Sequence, residues 1–347
     1  MTGKMSKKHR IAFMFIVEHG DLEYKSILLA ESLRRFFTNK DEVPIFAVRP
    51  RKGKEISEFT MRKLKDLGVD YIYNPLNLVW KNLPFANQAY GSALIEDRVK
   101  DMVEVLVYLD ADIVCLRRPD KLLYMDDEVK ALVTPVDVAS SCAVRYGQEL
   151  PLNWQFAYKL SGIDVKSLWP LHTKVDNIEI FPYFNTGVVA VRPEVGIFRR
   201  WRDLFEISAR KGYFGIVNPF SKKFFFTDQV FFASVIVSML RREEIGTLEA
   251  DYNFPLNFAQ YVFKNTGVIN LDEITFLHYH HCFYDMNWMK FFNVDKARQS
   301  WLISRLPLHK DVNTAVHIKK RKRIKQYLHY LYWKLKLYYA EGASAGS

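Results

Sequence analysis

The sequence predicts an α/β fold: a mostly parallel, doubly wound, Rossmann-like sheet flanked by helices. Three observations carry this. Short apolar runs alternate with stretches of helical period through the first third of the chain. The runs are apolar at successive positions, as strands covered on both faces must be. Their order is strand-helix three times and then a fourth strand, which right-handed crossovers fold into a parallel sheet.

Ile11–Val17 (IAFMFIV) is the first expected strand. Asp21 can cap a helix over Leu22–Phe37, where Ile27, Leu28, Ala30, Leu33 and Phe37 recur at helical spacing. Val43–Val48 is a second strand, and Ser57–Leu67 a second helix closed by Gly68. Val69–Tyr73 is a third strand, Phe85–Val99 a third helix, and Val103–Leu109 (VEVLVYL) a fourth strand ending in Asp110-Ala111-Asp112. Beyond it, Ala131–Val136 and Phe184–Val191 are expected as strands, residues 195–211 as a helix, and Thr227 as the cap of a helix through Leu240. Short strands follow at Thr247–Ala250 and Thr275–Tyr279, whereas residues 140–180 have no readable period. No clean linker appears. One sheet-centred domain with inserts is therefore expected over 1–312. A helical tail over 313–340 and a disordered end or cloning remnant at 341–347 complete the chain.

Composition narrows the function classes. Of 347 residues, 49% are hydrophobic and 26% charged, which excludes a disordered chain. No run of 18 apolar residues is present; the apolar stretch Val230–Leu240 has eleven residues and reads as a buried helix. No small-residue cleavage site follows the first apolar run, so no signal peptide is expected. Cys115, Cys142 and Cys282 are scattered without a CxxC pair, which suits a reducing cytoplasm. The net charge is +11, but residues 319–336 hold eight Lys or Arg and no acid, leaving about +3 for the rest. No GxGxxG, GxxxxGK[ST] or GxSxG pattern occurs, which argues against dinucleotide dehydrogenases, P-loop kinases and α/β-hydrolases.

Four clusters carry candidate chemistry. Asp110 and Asp112 follow a buried strand directly, where ligands of open α/β sheets bind. Two carboxylates there can hold Mg²⁺ or Mn²⁺ against a diphosphate, although chance also supplies Asp-x-Asp pairs. His278-Tyr279-His280-His281 follows an expected strand, with His278 and His280 on one side; imidazole suits Mn²⁺ beside carboxylates, and surface or core histidines are the plain alternative. Phe184-Asn185-Thr186-Gly187 begins a strand. Asn185 can bond sugar hydroxyls and Gly187 can admit a ligand close to the backbone, or the segment is an ordinary turn. Thr227-Asp228-Gln229 opens an apolar helix, as ordinary helix-start chemistry or as a holder of sugar hydroxyls.

Taken in order, these pieces resemble the GT-A glycosyltransferases, most closely the retaining glycogenin and lipopolysaccharide-galactosyltransferase family. Ser26–Arg35 resembles that family's opening helix and Val107–Leu116 its metal-binding Asp-x-Asp strand. Tyr183–Val191 is similar to its Asn-small-Gly strand, Thr227-Asp228-Gln229 to its Asp-Gln motif, and Phe276-Leu277-His278-Tyr279 to the strand bearing its metal-ligand His. The resemblance spans residues 11 to about 290 and implies a catalytic domain over 1–312 with a nucleotide-binding half near 10–116 and an acceptor-side half near 130–295. It implies a nucleotide-sugar donor, usually UDP-linked, and Mn²⁺ (or Mg²⁺) held by Asp110, Asp112 and His278, with His280 the rival ligand. It implies that Asn185, Asp228 and Gln229 address the donor sugar and reaction centre, with retention of configuration. Asn87 and Gln88 fall where relatives place Asn-Lys at the nucleotide, so Gln88 replaces a lysine. Relatives also carry Gly-x-x-Lys-Pro-Trp after the His strand; this chain reads Cys282-Phe283-Tyr284-Asp285-Met286-Asn287-Trp288.

An inverting transferase would need a carboxylate base, for which Glu149, Asp164, Asp176 and Glu179 are the candidates. A non-catalytic binding protein on the same fold and a metal-dependent phosphohydrolase are the competing classes. Residues 314–340 join a basic block to Tyr327, Leu328, Tyr330, Leu331, Tyr332, Trp333, Leu335, Tyr338 and Tyr339. Such a helix suits an anionic membrane surface, placing the protein peripherally on the cytoplasmic face with a glycan or lipid-linked acceptor. Packing on the body or a partner protein competes, nucleic acid is the weakest candidate, and a homo-oligomer stays open.

Overall fold

The computed structural model describes residues 9–38, 42–139, 142–217, 224, 226–259, 269–293 and 295–308. The expected alternation is present: β1 (His9–Ile16), α1 (Asp21–Phe36), β2 (Ile45–Arg49), α2 (Glu58–Asp66), β3 (Asp70–Tyr73), α3 (Ala86–Val99) and β4 (Val103–Leu109). Then follow β5 (Ile113–Cys115), α4 (Asp120–Leu123), β6 (Ala131–Pro135), α5 (Leu152–Ser161), β7 (Leu171–His172), β8 (Glu179–Ile180) and β9 (Phe184–Val191). The remaining elements are α6 (Ile197–Arg210), α7 (Thr227–Met239), β10 (Ile245–Thr247), β11 (Phe254–Pro255), β12 (Ile269–Asn270), β13 (Phe276–His278), β14 (Phe292–Asn293) and α8 (Lys296–Ile303).

A seven-stranded sheet runs β10-β6-β9-β4-β1-β2-β3. β9 pairs antiparallel with both β4 and β6, and the other pairings are parallel, so β9 alone runs backwards. Its first residues therefore lie at the edge where β4 ends. β1 shows why the sheet is covered on both sides: Ala12, Met14 and Ile16 join one core and Ile11, Phe13 and Phe15 the other. Helix α3 sits hard on the sheet because Gly91 faces it; a Cβ there would meet Ile16 Cδ1 at 2.4 Å. This fixes the height of the first turn of α3, where Asn87 and Gln88 stand. Helix α7 is buried on all sides, as its apolar sequence predicts. A separate three-stranded sheet, β11-β13-β5, carries a third core with Trp288, Trp301 and Leu302.

Several expectations change. Asp21 is the first residue of α1, not its cap; Gly20, at φ 101°, holds the cap position and its N–H donates to Glu23. Thr227 likewise lies inside α7 and shares a hydrogen bond with the Tyr213 hydroxyl at 3.1 Å instead of capping. The expected strand Thr247–Ala250 is shifted to Ile245–Thr247. The unread segment contains α5, whose Trp154, Ala157 and Tyr158 are buried while Leu152 is exposed. The basic-aromatic segment 313–340 and residues 341–347 lie outside the described residues. No helix among the described residues is long and apolar enough to cross a membrane.

Candidate active site

The carboxyl edge of the parallel strands opens into a cleft of about 810 Å³. Three connections bring its walls together. The Asp110-Ala111-Asp112 turn follows β4, closed by Ile113 N–H donating to the Asp110 carbonyl at 3.1 Å. Reversed β9 delivers Asn185 and Gly187 to the same edge, where Asp110 N–H donates to the Gly187 carbonyl at 2.8 Å. Antiparallel pairing of β13 with β5 sets His278 opposite Ile113, and Tyr279 N–H donates to the Asp112 carbonyl at 3.0 Å.

Asp112, His278 and His280 form the rim. One ligand atom from each lies within 4.8 Å of the others, a group that can hold a metal ion. His278 Nε2 stands 3.3 Å from Asp112 Oδ1, and the two imidazoles lie 3.8 Å apart between centroids. Burial works against charge on Asp112, but Lys25, 3.4 Å away, and His278 outweigh it and hold its carboxyl well below the usual range. Burial, then the neighbouring His278, pushes His280 down to about 3, so it stays neutral with its lone pair free. His280 Nε2 is buried and has no hydrogen-bond partner. An orphaned imidazole nitrogen beside an ionised carboxylate is the donor set a divalent cation fits.

A chain of hydrogen bonds fixes which nitrogen of His278 faces that group. Gly187 N–H donates to Asn185 Oδ1 at 2.7 Å, which orients the Asn185 amide. Asn253 Nδ2 donates to the same oxygen at 3.1 Å and to Thr134 at 3.0 Å, so its Oδ1 is the remaining acceptor. That Oδ1 lies 2.9 Å from His278 Nδ1, which must therefore carry the proton. Nε2 is the nitrogen that faces Asp112, which outweighs burial and raises the His278 pKa; a bound cation would take the place of the Nε2 proton.

The floor is different. Tyr108 O–H and Gln88 Nε2 both donate to Asp110 Oδ1, at 2.6 and 2.9 Å. Gln88 Oε1 then accepts from the Thr186 hydroxyl at 3.2 Å, and that hydroxyl lies 3.4 Å from Asp228 Oδ2. The Thr186 hydroxyl can donate to either acceptor, and toward Asp228 it favours the ionised form. Burial, then Asp110, outweighs that and pushes Asp228 up to about 8. Burial, then Asp112, raises Asp110 to about 6.

The residues expected to address donor and metal lie at or just behind this edge, with changes of part. Asp110 is not in the three-membered group that can hold a metal; its carboxylate faces Tyr108 and Gln88. His278 and His280 do meet, but not through strand alternation: β13 stops at His278, and His280 turns back at φ 50°. The Asn185 oxygen is taken by Gly187 and Asn253, its Nδ2 reaches Asp137 at 3.5 Å, and Asn185 and Gln229 both line the cleft. Asn87 donates to Glu18 at 2.9 Å and Gln88 bridges to Asp110, so the lysine-for-glutamine exchange keeps a donor at the site. Glu149, Asp164, Asp176 and Glu179 are exposed and line none of the cleft.

Sequence reasoning missed Glu18, Lys25, Asp137 and Asn253. Lys25 lies four residues after Asp21 on the cleft-facing side of α1, a helical spacing that was available to find it. Asp137 pairs with Lys174 at 2.9 Å at the end of β6. Asn253 sits in a short 3₁₀ turn with no periodic pattern to mark it.

The family model of the Rhodobacterales glycosyltransferase domain matches residues 13–239, more than half of the chain. The chain belongs to this family and is a glycosyltransferase, built on the mostly parallel α/β sheet expected from its sequence. No curated protein matches the sequence. Among solved structures, it is similar to mouse xyloside xylosyltransferase 1 in its apo form, at 15% identity over 79% of this chain and 98% of that one, TM-score 0.42. It is similar to the glycosyltransferase GlyE of Streptococcus pneumoniae TIGR4, at 18% identity over 86% and 61% of the two chains, TM-score 0.46. It is also similar to the galactosyltransferase LgtC in complex with donor and acceptor sugar analogs, at 14% identity over 90% and 99%, TM-score 0.44.

Proposed function

We propose that this glycosyltransferase moves a sugar, with retention, from a UDP-linked donor to a glycan or lipid-linked acceptor, using Mn²⁺ or Mg²⁺ at Asp112, His278 and His280. The observation that carries the reading is that triad, with the orphaned His280 nitrogen, at the mouth of a cleft large enough for a nucleotide sugar. When bound, the cation would supply Lewis-acid stabilisation of the leaving diphosphate. The protein's own groups do the rest. Lys25, held above its ordinary value because Asp112 outweighs the effect of burial, adds a fixed positive charge beside the triad. Asn253 holds the His278 tautomer. The Gln88 amide donates to Asp110 on the floor, Asp228 behind it keeps its proton up to about 8, and Gln229 faces the cleft. Glu149, Asp164, Asp176 and Glu179 lie outside the cleft, so none of these four could act there as an inverting base.

The protein would work peripherally on the cytoplasmic face of a membrane. Three free cysteines and the basic-aromatic composition of residues 314–340 support that placement. The test is hydrolysis and transfer across a nucleotide-sugar panel, with and without Mn²⁺, for wild type and Asp112→Ala. Metal-dependent release of UDP, lost in the variant and with the anomer retained, is expected. Turnover that ignores both metal and Asp112, or an inverted product, would overturn the reading.

A further inference from the structure

A second concavity, of about 520 Å³, opens beside the cleft and shares Glu18, His19 and Arg51 with it. Its lining holds five cations, Arg49, Arg51, Lys52, Lys54 and Lys81, against the single carboxylate of Glu18. Four of them fall within six residues, Arg49-Pro50-Arg51-Lys52-Gly53-Lys54, where the chain leaves β2 at the carboxyl edge. The two arginines are braced. Arg51 Nε donates to Glu18 at 2.7 Å. Arg49 is held by Glu55 at 2.6 Å and lies 4.0 Å over the Tyr73 ring. These contacts order the guanidinium groups without exhausting them: Arg49 is buried, and its Nε has no hydrogen-bond partner. The carboxylates match only the arginines. No ion pair to Lys52, Lys54 or Lys81 exists among the described residues, so three like charges face one hollow uncompensated.

Such a hollow repels itself when empty and gains most from a multiply charged oxyanion. Planar guanidinium forks and rotating ammonium groups together match a phosphate better than a single carboxylate, which could neutralise only one of them. We propose that this hollow is a binding site for a phosphate-bearing ligand, distinct from the metal-bearing cleft. Its dianionic phosphate sits among Arg49, Lys52 and Lys54, with Arg51 as the shared wall. The phosphate comes from a soluble compound or from a membrane headgroup, which present the same chemistry.

Gly53 offers a clean probe. A Cβ there meets nothing within 4 Å, so Gly53→Asp adds a negative charge to the loop without a clash. The measurement is calorimetric titration of the full-length protein with inorganic pyrophosphate, in chelator so that the cleft holds no divalent cation. A parallel arm measures co-sedimentation with phosphatidylcholine vesicles carrying phosphatidic acid. Wild type should bind at least one probe; Lys52→Glu/Lys54→Glu should weaken that binding about tenfold or more, and Gly53→Asp several-fold. Lys166→Glu, exposed and outside the hollow, should change it less than about twofold. Thermal unfolding and metal-dependent donor hydrolysis should be unchanged by the loop variants, which keeps this result separate from the transferase assignment. Sensitivity of pyrophosphate binding identifies a soluble ligand, and sensitivity of vesicle binding alone identifies a headgroup. Failure of both probes to bind would overturn the proposal. So would equal weakening by Lys166→Glu, or loss through Asp112→Ala with the loop variants silent.

Discussion

The floor and the rim of the cleft are built from one three-residue turn, yet they treat charge in opposite ways. Asp110 lies beneath neutral donors from Tyr108 and Gln88, and burial lifts it to about 6. Asp112, two residues on, is just as enclosed, but Lys25 and His278 hold it ionised. The i, i+2 spacing that makes the pair look like one metal chelator also sends the two carboxylates to different neighbours. The rim carboxylate is held ionised where a cation would sit, while the floor carboxyls Asp110 and Asp228 hold their protons more tightly than usual.

The largest effect that would break this contrast is loss of the rim carboxylate. Asp112→Ala should lower metal-dependent turnover about a hundredfold or more, measured by product release, with the melting temperature little changed. Gly187→Ala comes next. Its Cβ would lie 2.7 Å from His278 Cε1 and 3.0 Å from Asn185 Oδ1, so the ring and its orienting amide must both move. Metal affinity by calorimetry should fall by about 10- to 100-fold. Asn253→Ala frees the His278 ring to take either tautomer and should weaken metal binding about tenfold. It should also cost about 1–3 kcal/mol of stability in denaturant titrations, because Asn185 and Thr134 lose a buried partner.

The floor sharpens the comparison through pH. Asp228 binds its proton more tightly when folded than when unfolded. Its contribution is therefore fully present below the unfolded value near pH 4 and is lost as pH rises to about 8. Asp228→Asn, which is neutral throughout, should flatten the fall in melting temperature across that window. The smallest effect is expected at the four surface carboxylates: Glu149→Gln, Asp164→Asn, Asp176→Asn and Glu179→Gln should each alter turnover less than about twofold.

What the sequence revealed follows the same division. The central strands β1, β2 and β4 and their helices were legible because both faces of these strands are buried and the helices keep one apolar side. The Asp-x-Asp turn was legible because it directly ends β4. The reversal of β9 was not, since an apolar run reads the same in either direction. Yet that reversal alone brings Asn185 and Gly187 to the edge where Asp110 begins its turn. His280 was found for a reason that failed, as a left-handed turn and not strand alternation carries it to His278. Asn253 matters through a partner 25 residues away, a distance over which no local pattern speaks, whereas the helical spacing of Lys25 from Asp21 was there to be read.

The central claim is that Asp112, His278 and His280 hold the cation. It is tested most directly by electron paramagnetic resonance of the protein with Mn²⁺ and UDP, resolving nitrogen couplings to the metal. The account predicts coupling from two imidazoles, one of which disappears in His280→Ala and both of which are lost with Mn²⁺ binding in Asp112→Ala. Bound Mn²⁺ with no nitrogen coupling, or a spectrum unchanged by His280→Ala, would contradict it.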